Sequence, residues 1–220
     1  MPGDRQSGKQ QARGPTVGCR EKSEKRYMGK TSFWNDAAKY GAMVGLLLAV
    51  STVVENSIVL SGRLWLYMLL MVEWVVAVVL HYYLLHRFTR RRAMQRDETE
   101  GFSFGEAYGF IAAMSALGGI ISGAVQYIYV YGIIGYGRYI ERSADALYSI
   151  MARNGNVSAS MENLLSQSVA QMQQSPEPSV FSAVGGGVLT SLLFGLVFGL
   201  FIASTVSRPA KPFGGPEGNV

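Results

Sequence analysis

Apolar residues along this chain gather into four long blocks, 40–60, 64–85, 107–128 and 184–206, separated by stretches rich in charge, Gly, Asn, Gln and Pro. A helix needs about 17 to 25 mostly apolar residues to cross roughly 30 Å of hydrocarbon, so each block predicts one membrane-spanning helix. Only Ser61, Gly62 and Arg63 join the first two blocks, which forces an antiparallel hairpin. Between the third and fourth, apolar residues keep helical spacing at Tyr136, Tyr139, Ile140, Leu147, Ile150 and Met151, and again at Val157, Met161, Leu164, Leu165, Val169 and Met172. Asn154, Gly155 and Asn156 part these two runs and Pro176 with Pro178 ends the second, predicting an amphipathic helical hairpin over about 134–175. The expected fold is all-α: an integral membrane protein whose four-helix membrane domain covers 34–208, between a disordered basic tail at 1–33 and a flexible tail at 209–220.

Charge sets the expected orientation. The net charge of +5 in 220 residues could serve nucleic acid, but its placement argues for a lipid bilayer. Eight Lys or Arg precede Trp34, five lie in "RFTRRRAMQR" after the second block, and Arg208 and Lys211 follow the fourth. Four crossings put all of these on one side, so the positive-inside rule places both termini and the 86–104 connection in the cytoplasm and the 134–175 hairpin outside. The polar face of that hairpin is Ser, Asn and Gln more than Lys, which fits packing on the bundle or on a partner better than binding anionic lipid. No cleavable leader precedes the first block, and "MGKTSFWND" offers Met28 as a natural start. Cys19, the single cysteine, has no intramolecular partner.

Small residues recur at helical spacing in two blocks. Gly105, Gly109, Ala112, Ala116, Gly119 and Gly123 alternate steps of four and three, and Gly187, Ser191, Gly195, Gly199 and Ala203 recur every four. Such stripes let helix backbones approach closely, so the third and fourth spans are expected to face each other or a second subunit.

Polar residues at the edges and in the middle of the spans are the candidates for chemistry. Ser103 and Glu106 form an S-x-x-E capping box, with Ser103 accepting from the Glu106 amide and the carboxylate reaching back to the Ser103 N–H; Lys39 is the expected ionic neighbour. Glu73 lies near the middle of the second span, where an ionised carboxylate is most expensive. Counting inward from the span ends sets it level with Ser51, Thr52, Ser122, Thr190 and Ser191, a candidate polar layer whose hydroxyls would bond the carboxyl, with Glu55, Asn56 and Gln126 as a shallower ring. His81 and His86 point to different faces and read as interfacial, without Cys or Asp at metal-ligand spacing. No nucleophile elbow, phosphate-binding loop or H-E-x-x-H is present, so neither an enzyme nor a cofactor is expected.

Taken together, "KYGAMVGLLL", "FSFGEAYGFIAAMSALGGIISGAVQYIYVY" and "LTSLLFGLVFGLFIASTVSR" resemble a bacterial inner-membrane family, domain of unknown function 4199, common in Bacteroidetes-type genomes. The likeness covers about residues 36–208, and its most specific piece is Ser103, Phe104, Gly105, Glu106 and Ala107. The resemblance implies a four-helix protein of the bacterial cytoplasmic membrane with no established activity and no known catalytic residues; the basic extension before Met28 departs from the family's short start. The expected function is a non-enzymatic membrane module that self-associates or assembles with another membrane protein. The alternative is a small transporter or channel subunit built on Glu73 and its polar layer.

Overall fold

Each apolar block becomes a helix whose ends are set by local chemistry. The computed structural model describes residues 32–96, 99–154 and 159–210, and the helices all belong to the unit Phe33–Val220. Helix α1 runs Phe33–Leu60 and α2 runs Leu64–Gln95. Gly62 turns the chain between them at φ +62, a left-handed conformation that a Cβ would disfavour, and the Ser61 and Gly62 amides bond the last carbonyls of α1 at 3.1 and 3.3 Å. Helix α3, Phe104–Tyr127, passes into a π-helical segment, Ile128–Ile134, that ends at Gly135. Then follow α4, Tyr136–Asn154, α5, Ala159–Gln174, and α6, Val180–Val206. Four of the helices are long and apolar enough to cross a membrane, and the chain is a multi-pass helical membrane protein. The expectations for the two tails, Met28 and Cys19 fall outside the described residues, as does the break at Gly155 and Asn156.

The clearest departure from the expected boundaries is α2, which continues ten residues past position 85, through the basic run. Arg and Met favour helix, and cations suit a helix C-terminus, where unpaired carbonyls concentrate negative potential. Arg208 completes the end: its Nη2 donates to the carbonyls of Ala93 and Arg96 at 2.6 and 2.9 Å.

Helix α3 is the centre of the bundle. Its apolar window is 44% buried, against 11% for that of α2, and it packs along α6 on one side and α1 on the other, while α2 lies mainly against α1. Glycines permit both approaches. A Cβ on Gly119 would stand 2.6 Å from Val188 Cα, and one on Gly187 would stand 2.7 Å from the Gly119 carbonyl. Gly123 meets Val184, Gly195 meets Ser115, and Gly199 meets the Tyr108 ring. Gly105 and Gly109 do not join this seam: both are exposed with open space above them. Steps of four and three hold the stripe to within about 40° of one face, so it is the crossing with α6 that covers Gly119 and Gly123 and leaves these two bare. A second seam absent from the sequence reading joins α3 to α1, where a Cβ on Gly45 would reach the Gly118 carbonyl at 2.8 Å and one on Gly41 the Met114 carbonyl at 2.9 Å.

The end of the bundle that carries Arg90, Arg92, Arg96 and Arg208 is termed the basic end, and the opposite one, with the α1–α2 turn, the hairpin end. An apolar core of Ala37, Tyr40, Val44, Leu85, Phe88, Phe110, Ile111, Met114 and Ile202 fills the basic half. Tyr40 stacks on Phe88 with centroids 4.5 Å apart. A short antiparallel bridge, Phe102 N–H to Arg208 O at 3.0 Å and Arg208 N–H to Phe102 O at 2.9 Å, fastens the α2–α3 connection to the chain leaving α6. At the hairpin end α4 lies against α1 and carries α5; Ile140, Ala144, Ala146 and Val169 are buried there.

Candidate functional site

In the hairpin half, helical periodicity turns polar stripes toward a common space. On α1, Leu48, Ser51, Thr52, Glu55, Asn56 and Val59 fall at alternating steps of three and one, which keeps them on one face. Trp74, Ala77, Val78 and His81 do the same on α2. With Ser122 and Gln126 of α3, Tyr139 of α4 and Gly186, Gly187, Thr190, Ser191 and Phe194 of α6, they line a cavity of about 350 Å³. The wall holds hydroxyls, two carboxamides, a carboxylate and an imidazole, and neither Lys nor Arg. Burial pushes the Tyr139 hydroxyl above its ordinary value, the Ser143 hydroxyl opposes the shift in part and the Glu55 carboxylate adds to it, so this phenol stays neutral.

Glu73 stands beside this space, not in its wall. Ser51 Oγ donates to its Oε1, while its Oε2 is buried with no hydrogen-bond partner. The other hydroxyls of the expected layer do not reach it. Thr52 donates to the Leu48 carbonyl at 2.9 Å, Ser122 to Gly119 at 3.2 Å, and Ser191 across the α3–α6 seam to Ser115 at 2.8 Å; Thr190 lines the cavity from an exposed position. For Thr52 and Ser122 the acceptor is a backbone carbonyl three or four residues back on the same helix, which is always within reach, whereas Ser191 is drawn to the α3 backbone that packs against it. Glu55, Asn56 and Gln126, expected as a separate and shallower ring, line the same cavity as Ser51 and Thr52.

His81 departs most from the sequence reading. Expected at an interface, it is 3% exposed, lies edge-on to Phe198 at 5.8 Å, and lines the cavity floor with Nε2 unpartnered. The reason is the extension of α2: with the helix running on to Gln95, position 81 is well inside the bundle. His86 is half-buried and stacks on Tyr82 at 6.2 Å. Among the described residues no three His, Cys, Asp or Glu converge as a metal site would require.

Below the floor the basic end is closed by charge as well as by apolar packing. Arg92 Nη1 meets Asp36 Oδ2 at 2.6 Å, each side chain 7% exposed, and the guanidinium lies 5.2 Å from the Phe33 ring centre and 4.8 Å from that of Phe110. Nothing local in the sequence signals this pair, because its members are separated by the whole first hairpin. Next to it Ser103 Oγ accepts from the Glu106 amide at 3.2 Å, capping α3. The reciprocal half of the expected box is replaced: the Glu106 carboxylate bonds Arg96, which also holds Glu100 at 2.9 Å. Arg96, not Lys39, is thus the ionic neighbour of Glu106, since the extended α2 delivers a guanidinium to the start of α3 while Lys39 faces out.

The profile of a family described as "Protein of unknown function (DUF4199)" matches residues 39–208. No curated protein and no solved structure matches the chain.

Proposed function

We propose, from the premise that this chain belongs to the DUF4199 family of proteins of unknown function, a role in passing a small polar solute or a proton through the membrane by way of the hairpin-end cavity. The protein is read as a non-enzymatic, multi-pass component of the bacterial cytoplasmic membrane, with both termini and the basic end inside and the cavity facing out. Its clustered arginines fit that orientation. The observation that carries the reading is His81: an imidazole 3% exposed, at the floor of a polar space, with Nε2 unpartnered. Buried polar groups ordinarily find partners, and inside a membrane bundle they mark pathways for ions and solutes. Glu73 Oε2, also buried and unpartnered, lies beside the same space.

Proton flux into liposomes carrying the purified protein tests this. Wild type is expected to conduct above protein-free liposomes and Glu73→Gln to lose the flux while remaining folded. Equal flux from wild type, variant and empty liposomes, together with no binding of any small solute, would overturn the reading.

Self-association, the reading favoured by the glycine stripes, now rests on less, because Gly119, Gly123, Gly187, Gly195 and Gly199 are occupied by contacts within the chain. What favours it is the open pair Gly105 and Gly109 on α3. Native mass spectrometry from detergent tests it, a strict monomer at high concentration counting against it.

A further inference from the structure

We propose that the cavity is a binding site for a small protonated amine, an inference that rests on the cavity being the working site. The first argument is charge. The wall carries the Glu55 carboxylate with no Lys or Arg among its lining residues, and among the described residues Glu55 forms no ion pair. The buried, unpartnered Oε2 of Glu73 adds acceptor character just behind Ser51. A carboxylate in a polar recess without Lys or Arg is short of a counter-charge, and a bound cation supplies it.

The second argument is hydrogen bonding. An ammonium head brings several N–H donors and no acceptor, as the lysine side chain does. The cavity answers with the Glu55 carboxylate, the amide oxygens available on Asn56 and Gln126, and the unpartnered Nε2 of His81, 3% exposed, at the floor. A proton alone would leave the amides idle. A multivalent metal ion would ask for a convergent set of His and carboxylate ligands, which the described residues lack.

The third is shape. Aromatic surface from Trp74 and Phe194 and aliphatic surface from Leu48 and Val78 lie beside the acceptors, suited to the alkyl part of an amine and to cation–π contact with its head. About 350 Å³ is near the lower end for small-molecule pockets, so the ligand is a compact amine, not a lipid or a long polyamine.

The test uses isothermal titration of the full-length protein in detergent, with ethylammonium as probe and acetate and glycerol as controls of other charge. Ethylammonium alone is expected to bind, with affinity lowered about 10- to 100-fold in Glu55→Gln and unchanged in Glu141→Gln, whose site on α4 is exposed and outside the cavity. Melting curves confirm that Glu55→Gln is folded, and His81→Gln gives a second variant at the floor, also expected to weaken binding. Binding of acetate or glycerol in place of ethylammonium would overturn the amine assignment and leave the solute-pathway reading standing. Absence of ethylammonium binding, or equal binding by wild type and both cavity variants, would overturn it too; proton flux in liposomes, read separately, then decides whether the pathway survives.

Discussion

Asp36 and Arg92 meet at 2.6 Å across α1 and α2, both almost fully buried, with the guanidinium between the rings of Phe33 and Phe110. Each charge makes the burial of the other tolerable, so truncating one side chain is costly for the other. Arg92→Ala and Asp36→Ala are each expected to destabilise the protein by about 3 to 5 kcal/mol, seen as a lower melting temperature in detergent. The double replacement is expected to cost less than the sum of the two, and strict additivity in that cycle would show that the pair has no energetic coupling.

Glycines on α3 provide a graded test of packing. Gly119→Val places a branched side chain where a single Cβ already stands 2.6 Å from backbone, so α3 and α6 must separate and folded yield is expected to fall sharply. Gly109→Ala meets nothing and is expected to be neutral or to stabilise by about 0.5 to 1 kcal/mol through helix propensity. Thermal melting of the two variants side by side checks the contrast.

Ser103→Ala removes the acceptor for the Glu106 amide. The expected loss is about 1 kcal/mol, measured by thermal unfolding, and Ser103→Asp is expected to restore most of it because a carboxylate also accepts from the first turn and complements the dipole.

Arg208 supports two structures at once, the C-terminus of α2 and the bridge to Phe102. Arg208→Ala keeps the backbone bridge but removes the side-chain donor to the carbonyls of Ala93 and Arg96. Hydrogen exchange is expected to quicken over the last turn of α2 and not in the α3–α6 seam; uniform quickening would mean that the cap is not a local device.

The sequence made the helices legible because apolar length in a bilayer leaves few alternatives, and Ser103 declared its cap through spacing alone. Features that depend on which helix stands opposite were hidden. Periodicity places Gly119 and Gly109 on related faces, but only the crossing with α6 covers one and leaves the other bare. Hydropathy stopped α2 at the first arginines, and that error moved His81 to an interface and denied Glu106 its guanidinium. Asp36 and Arg92 looked like ordinary flanking charges until tertiary packing brought them together.

The two backbone bonds between Phe102 and Arg208 also order events in time. Their C-terminal member emerges from the ribosome after all four spans, so the clasp cannot form on a partial chain. Until α6 is in place the connection ahead of α3 has nothing to grip, so closure of the basic end waits on the last helix.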